Sequence, residues 1–416
     1  MTLRVQLLVA VVLVFTVACS SGPTESSATG TWVGSITTEG NITTVINESG
    51  SVWGGVATLV EEASIGVDLG DDPYMLGSVR AVAVHNSEIY ILDQQIPTIR
   101  VYDLAGKHLR DVGSSGEGPG EFRRPDSLVI GPDGSLYVRD AQSGRISILS
   151  PEGGELGTMP LNQGFSTANR MVMTDDGVLH NYERTEADPE TGERGRGMVP
   201  RLGADERGEP IVPPDFGFES WSLTANSTGM NLTTGVPFAP VMRWVLAPSG
   251  AVVAGVSDDY RFEIHSRDGR VMVVEKAWEP VSVDPAEADW RRKGSIETMR
   301  RVVPEWTWNG PEIPAVKPAY GQLLGDRSGC VWVIRSGPST YEPECEVREG
   351  VSCWRSERLV DLFDVDGRYL GPVDIPADVS FTTRPFIRDD LFVATSTDAL
   401  GTIMVKRYRL VLPGER

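Results

Sequence analysis

Aromatic and cationic side chains in the longest irregular segments of the chain are suited to hold a ligand. Residues 213–240 contain Trp221, residues 278–319 contain Trp306 and Trp308, and Arg123 and Arg124 follow a glycine-rich stretch. Tryptophan rings near guanidinium groups suit an anionic or sugar-like small molecule, a glycan or a peptide. We therefore predict that these residues bind a small-molecule, glycan or protein ligand. The alternative is that the rings pack the two segments onto the protein and that the cations are solvated.

Three aspartates stand at or just past the ends of predicted strands. They are Asp93, Asp140 and Asp258. Carboxylate oxygens are ligands for hard divalent cations, so a cation site is one hypothesis. The favoured interpretation is that these carboxylates accept hydrogen bonds from nearby loop backbone. The sequence predicts no cofactor, and a divalent cation at these aspartates is the one alternative.

Other catalytic signatures are missing from the sequence. It has 4 histidines, His85, His108, His180 and His265, and their scatter does not predict a converging zinc site. It contains no Gly-x-Ser-x-Gly elbow and no His-Glu-x-x-His motif. We therefore predict no catalytic residue, and the pattern favours a binding protein over an enzyme.

The chain is strongly acidic, with a net charge of −20 over 416 residues. Such a surface repels nucleic acid and anionic headgroups, which disfavours a nucleic-acid partner. It also favours solubility, and we expect a monomer.

The N-terminus reads as a secretion signal over residues 1–18. Arg4 supplies a positive start, residues 7–15 are apolar, and the residues before Cys19 are small or modest in size. This arrangement resembles a bacterial lipoprotein signal, which implies a lipid on Cys19, membrane attachment through it and a periplasm-facing or outer-membrane location. An ordinary cleaved signal is the alternative. Residues 19–40 are predicted to be a flexible tether because they are rich in Ser, Thr and Gly.

Two further cysteines, Cys345 and Cys353, flank a mostly polar segment. In an oxidising compartment they are predicted to close that segment as a disulfide. Metal ligation is the competing interpretation.

Two interleaved series of tight turns divide the rest of the chain into repeats. Apolar strands alternate with turns such as Pro132-Asp133-Gly134 and Asp268-Gly269, and each series has six members. The pattern predicts six small antiparallel sheets, and sheets repeated in this way form a propeller. We expect an all-β, six-bladed β-propeller of four-stranded blades over residues 41–416. The sixth blade lacks a fourth strand, and we predict that an N-terminal strand near residues 58–67 supplies it.

Residues 133–140, Asp-Gly-Ser-Leu-Tyr-Val-Arg-Asp, followed by Arg145 and Ile146, resemble an NHL-type repeat. The whole chain resembles the six-bladed propeller lipoproteins of bacteria. This resemblance implies the fold and a cell-envelope location but little chemistry. Two alternatives to a binding module remain. One is a metal-dependent hydrolase, lactonase or lyase with a carboxylate-bound cation in the channel, and the other is a structural part of an envelope complex.

The long segments of this chain follow predicted second and fourth strands. Loops after second and fourth strands of an antiparallel blade lie on one face, so we expect the excursions to crowd that face. The segment 278–319 should contain one short helix, because Asp284 is a good N-cap and Pro285 suits the first helical position. We expect it to run to about Val302, with five cations between Arg291 and Arg301.

Overall fold

The computed structural model describes residues 30–161, 171–187, 194–343, 345 and 352–415. Within these ranges the regular secondary structure is almost all β-strand, with a single α-helix, as the repeat pattern predicts. The predicted signal peptide and Cys19 lie outside the described residues. No helix in the described ranges is long and apolar enough to cross a membrane.

Three strands precede the repeats, and they are β1 (Val33–Glu39), β2 (Ile42–Ser49) and β3 (Ala57–Ile65). A short 3₁₀ turn follows at Asp72–Tyr74. The tether predicted for residues 19–40 is therefore wrong from Val33 onwards. Threonine is a good strand former, and β1 pairs antiparallel with β2, so composition alone was misleading here.

Blades one and two are regular four-stranded antiparallel sheets. Blade one contains β4 (Val79–His85), β5 (Glu88–Asp93), β6 (Thr98–Asp103) and β7 (His108–Val112). A two-residue parallel ribbon follows, made of β8 (Ser114–Ser115) and β9 (Glu121–Phe122). Blade two contains β10 (Pro125–Ile130), β11 (Leu136–Asp140), β12 (Arg145–Leu149) and β13 (Glu155–Pro160).

Blades three and four carry additions. Blade three contains β14 (Met171–Met173), β15 (Leu179–Ala187) and β16 (Arg194–Arg201), and its fourth edge is reduced to isolated bridges such as Met198 with Ile211. A separate hairpin follows, formed by β17 (Ser222–Ser227) and β18 (Met230–Gly235). Blade four contains β19 (Met242–Leu246), β20 (Val252–Val256), β21 (Arg261–His265) and β22 (Val271–Lys276). The helix α1 (Pro285–Arg300) comes next, with Asp284 as its N-cap as predicted.

Blades five and six are joined into one sheet. Blade five contains β23 (Gln322–Gly325), β24 (Val331–Tyr341), β25 (Trp354–Phe363) and β26 (Tyr369–Asp374). Blade six contains β27 (Val379–Ser380), β28 (Phe386–Arg388), β29 (Leu391–Thr397) and β30 (Ile403–Val411). Strand β3 pairs antiparallel with β30, so the N-terminal strand supplies the missing outer strand of blade six as predicted. The first strands of blades one and two, two and three, and four and five contact each other, and β28 and β29 of blade six contact β4 of blade one.

The N-terminal segment also pairs with the outer strands of blades four and five, which the sequence did not predict. Residues 31–65, which we call the N-terminal strap, run along the outer edges of three blades. Strand β2 pairs in parallel with β22 of blade four, and the start of β3 pairs in parallel with β26 of blade five. Between these strands, the backbone N–H groups of Val52 and Trp53 donate to Tyr369 and Leu370 of blade five.

One buried side chain fixes the strap between blades four and five. The Asn47 amide nitrogen donates to the carbonyls of Glu275 (3.0 Å) and Gly367 (3.1 Å). Its oxygen accepts from the Tyr369 backbone N–H (2.7 Å) and from the Trp32 indole (2.8 Å). Because both donors and the acceptor oxygen of this amide are satisfied at 3 % exposure, Asn47 specifies the position of the strap.

The long excursions follow second or fourth strands, as predicted. Because strands alternate in direction within a blade, these excursions leave from one face, which we call the long-loop face. Two of the predicted loops, at residues 185–197 and 337–357, include extensions of strand hairpins. In blade five β24 and β25 remain paired out to Tyr341 and Trp354, beyond a bulge at Ser336 to Ser339. A disulfide bond joins Cys345 to Cys353 beyond this extended hairpin.

Candidate functional site

A cavity of about 820 Å³ opens on the long-loop face between blades four and five. Blade four contributes Lys276 and the chain that leaves β22, residues 277–282. Blade five contributes Arg335, Pro338 and Leu359 from the extended hairpin of β24 and β25. Two irregular features of the chain, the exit into the 278–319 insert and the lengthened hairpin, therefore form the walls of this cavity.

A charged cluster lies beneath the cavity. Asp361, on β25, accepts a hydrogen bond from the hydroxyl of Tyr260 at 2.6 Å and another from Tyr369 at 2.7 Å. Arg335 Nη1 donates to the same carboxylate at 3.3 Å, and Lys276 Nζ lies 3.9 Å from it. The side chains of Lys276 and Arg335 are only 15 % and 12 % exposed, so two cations share one buried carboxylate.

Aromatic rings hold both cations in place. The Arg335 guanidinium lies 5.1 Å from the ring centroid of Tyr260 and 5.8 Å from that of Trp278. Lys276 Nζ lies 4.5 Å from the Tyr369 ring and 5.1 Å from the Tyr260 ring. Cation–π contacts of this kind orient the donors without using their N–H groups.

Burial changes the titration of the cluster. Burial lowers the pKa of Lys276, the Asp361 carboxylate opposes this shift, and the charge of Arg335 reinforces it. Burial raises the pKa of both Tyr260 and Tyr369, and the neighbouring Asp361 raises it further. The two phenols therefore stay protonated at neutral pH and act as hydrogen-bond donors to Asp361 rather than as nucleophiles.

The two inserts on the long-loop face pack into a small unit that we call the insert cap, residues 213–240 and 278–319. Its core combines the β17–β18 hairpin with the end of α1, and the buried members are Leu223, Ala225, Val236, Ala239, Met299 and Trp306. Because this core is continuous, the hairpin and the helix support each other above the blades.

The structure separates the aromatic residues predicted to bind a ligand. Trp306 is 5 % exposed and its indole donates to the Thr224 carbonyl at 2.7 Å, so its ring serves the core of the insert cap and is not open to a ligand. Trp308 is half-buried, 6.5 Å from Trp306 between ring centroids, and stacks under Arg292 at 4.4 Å. Trp221 is 37 % exposed. None of these residues lines the cavity described above.

The cationic residues singled out in the sequence are exposed or paired with acidic side chains. Arg123 and Arg124 are exposed beside the β8–β9 ribbon, and Arg123 forms an ion pair with Glu117 at 3.0 Å. On α1, Arg291 pairs with Glu287, and Arg292 pairs with Glu312. The positive spot predicted on the helix is therefore partly neutralised by acidic residues of the same insert.

Two of the predicted aspartates organise loops, as the favoured interpretation holds. Asp93 accepts from the backbone N–H groups of Gly77, Ser78 and Gln95 at 2.8–2.9 Å. Asp140 accepts from four backbone N–H groups and from the hydroxyl of Ser143. Asp258, by contrast, is exposed. In the part of the chain that the structure describes, no three His, Cys, Asp or Glu side chains cluster in a way that could hold a metal ion.

Sequence reasoning missed Lys276 and Arg335, which line the cavity, and Asp361, which lies beneath it. One signal was available, since Asp361 stands within the apolar run Leu359-Val360-Asp361-Leu362-Phe363, where a charge is costly unless it is paired. Lys276 and Arg335 gave no comparable signal, because cations near strand ends are common on solvated surfaces.

Comparison with known proteins supports the fold. Residues 70–199 match a family model, DUF5128, whose description is a 6-bladed beta-propeller. The match spans blade one, blade two and part of blade three. No curated protein sequence is significantly similar to the chain.

Solved structures with similar folds are distant in sequence. One protein from Bacteroides fragilis, provisionally described as exported, is 12 % identical, with 89 % of this chain and 99 % of that chain covered and a TM-score of 0.47. A virginiamycin B lyase from Staphylococcus aureus is 10 % identical, with 84 % and 98 % covered and a TM-score of 0.38. A gluconolactonase from Xanthomonas campestris is 10 % identical, with 80 % and 86 % covered and a TM-score of 0.40. The strand pattern and the family match together identify this chain as a six-bladed β-propeller with its elaborations on one face.

Proposed function

We propose that this protein is a lipid-anchored, extracytoplasmic propeller that binds a ligand on its long-loop face, in the cavity between blades four and five. The observation that carries the proposal is the cavity itself. Its walls are the start of the 278–319 insert and the lengthened β24–β25 hairpin, two features that a regular four-stranded blade does not have. Loops that a rigid scaffold holds on one face are the usual place for binding residues. Lys276 and Arg335, two partly buried cations that line the cavity, add the polar groups that a binding site requires.

The anchor is tested by changing its lipid acceptor. If Cys19 carries the lipid, the Cys19→Ala protein should move from the membrane fraction to the soluble fraction of the cell envelope, because the substitution removes the sulfur that accepts the lipid. Fractionation followed by immunoblotting measures this. The ordinary-signal alternative predicts that both proteins are soluble, and that result would remove the anchor from the proposal.

The cavity is tested by filling it. Ser282 lies on its wall, and Ser282→Trp should occupy much of the space without removing a charge. We expect some members of a panel of sugars, sugar acids, amino acids and short peptides to raise the thermal midpoint of the wild-type protein, and we expect these shifts to disappear in the variant. A matched control is Ser227→Trp on the β17–β18 hairpin, an exposed serine outside the cavity. Shifts that survive in Ser282→Trp would place binding elsewhere.

A further inference from the structure

We infer that the cavity between blades four and five recognises the oxyanion group, a carboxylate or a phosphate, of a small organic molecule whose apolar part lies along Trp278. This inference rests on the proposed function and adds the chemical class of the ligand. It follows from the balance of charge and of hydrogen-bond donors in the cavity.

The cavity has more donors than acceptors. A lysine and an arginine together carry about eight N–H groups. Within the described ranges, Arg335 donates to the Ala319 carbonyl at 3.1 Å and to Asp361 at 3.3 Å, and Lys276 makes one long contact with the Ala277 carbonyl at 3.4 Å. The remaining N–H groups of these partly buried side chains have no described protein acceptor, and none of their nitrogens is a buried atom without a partner, so they face the solvent of the cavity. An acceptor oxygen of a ligand can take the place of that water.

Lys317, in the same region, is an example of a cation whose hydrogen bonds are all made within the fold. Lys317 is 1 % exposed, and its Nζ donates to the Gly337 carbonyl at 2.8 Å, to Ser339 at 2.6 Å and to Ser356 at 3.1 Å. All three of its N–H groups are therefore satisfied by the fold. Lys276 differs from Lys317 in this respect: 15 % of its side chain is exposed, and its Nζ has no comparable set of acceptors among the described residues.

The acidic groups nearby do not cancel the two positive charges. Asp361 supplies one negative charge, and its oxygens are already shared with Tyr260 and Tyr369. Glu279 also lines the cavity but is exposed, so solvent screens its charge. The buried part of the site thus carries a net charge of about +1 when Lys276 is protonated.

The shape of the donors favours an oxyanion attached to an apolar body. The Arg335 guanidinium is held between the rings of Tyr260 and Trp278, and a fixed planar fork matches a carboxylate or phosphate in bidentate geometry. The indole of Trp278 is held by a hydrogen bond to Asp259 at 3.0 Å. Together with Pro280, Pro338 and Leu359 it gives the cavity an apolar wall next to the cations.

The test uses benzoate, its neutral counterpart benzamide, and inorganic phosphate, each titrated into the full-length protein at constant ionic strength. We expect benzoate or phosphate to raise the thermal midpoint of the wild-type protein progressively with concentration, and benzamide to have no such effect. Lys276→Met should weaken binding of the responding anion about 10- to 100-fold, the effect of losing one charge-assisted hydrogen bond. The exposed Lys293→Met is the matched control and should bind like the wild type.

A second readout separates binding from a structural role. If Lys276 exists to receive an anion, Lys276→Met should keep or raise the thermal midpoint without anion, because it removes a partly buried charge that must share the Asp361 carboxylate with Arg335. A lowered midpoint with unchanged anion response would mean that Lys276 is structural and would overturn the inference. Arg335→Lys keeps the charge but removes the fork, and it should also weaken anion binding while preserving the fold.

The outcomes also distinguish this inference from the proposed function. A response to phosphate alone would support the inference and restrict the class to phosphoryl groups. Equal responses to benzoate and benzamide, or no anion response while neutral compounds bind in a manner blocked by Ser282→Trp, would overturn the oxyanion class but leave the binding function intact. No cavity-dependent binding of any compound would remove both.

Discussion

A chain that begins at Met75, and so lacks the N-terminal strap, is expected to aggregate or to unfold far below the melting temperature of the mature protein. The strap buries Ala57, Leu59 and Ile65 of β3, and it covers the outer edges of β22 and β30. Its removal exposes these edges and their apolar neighbours to solvent. We expect a loss comparable with the roughly 5–15 kcal/mol that stabilises a typical domain.

This prediction is measured by soluble yield, by thermal unfolding followed with circular dichroism, and by light scattering. A point substitution gives a finer test of the same idea. Asn47→Ala should lower the free energy of unfolding by about 3 kcal/mol, because it leaves the carbonyls of Glu275 and Gly367 and the Tyr369 N–H without this partner. The exposed Glu48→Ala on the same strand should change it by less than about 0.5 kcal/mol. Cooperative melting of the shortened chain at the full-length midpoint would disprove the closing role of the strap.

Lys317→Met is expected to lower the free energy of unfolding by about 3–5 kcal/mol, the usual effect of breaking a buried charge arrangement. Lys317 ties the end of the insert cap to the blade-five hairpin through Gly337, Ser339 and Ser356. It also lies 4.0 Å from Glu287 of α1, which is fully buried. Without Lys317, Arg291 at 3.6 Å would be the one described cation left beside the buried Glu287 carboxylate.

Chemical denaturation measures the total effect, and hydrogen exchange over α1 shows whether the insert cap loosens first. The double variant Lys317→Met, Glu287→Gln should recover part of the loss, because the neutral amide is less costly to bury alone than the carboxylate. Lys293→Met, on the exposed side of the same helix, provides the matched control. A change below about 1 kcal/mol in Lys317→Met would show that the cap and the hairpin are not coupled through this lysine.

Much of the fold could be predicted because its signals are local. The turn at Pro132-Asp133-Gly134 places Gly134 at a φ of 86°, a conformation that glycine adopts without strain, and similar turns separate the other strand pairs. The Asp284 cap and Pro285 fixed the start of α1 in the same way. Hydrogen bonds within a few residues decided these features, so they were visible in the sequence.

The prediction of ligand-binding residues was less accurate than the prediction of the fold, and the reason is also physical. The position of Trp306 within a long insert suggested a ligand-binding ring. The sequence did not predict that the β17–β18 hairpin would cover this ring. Asp93 and Asp140 were placed correctly at strand ends, where their carboxylates accept hydrogen bonds from the backbone N–H groups of Gln95, Gln142 and Ser143, two or three residues further along the chain. Features set by neighbours in sequence were therefore predicted better than features set by packing.

By itself the sequence determined the six strand repeats, their turns, the short helix and the crowding of long segments on one side. Only the tertiary structure decided that Asn47 would meet Gly367, 320 positions away, and that Lys276 and Arg335 would line one cavity above the Asp361 carboxylate that they share. The reason is that strand period and turn chemistry act through the nearest residues, whereas the strap and the cavity depend on which distant edges meet after the blades have packed.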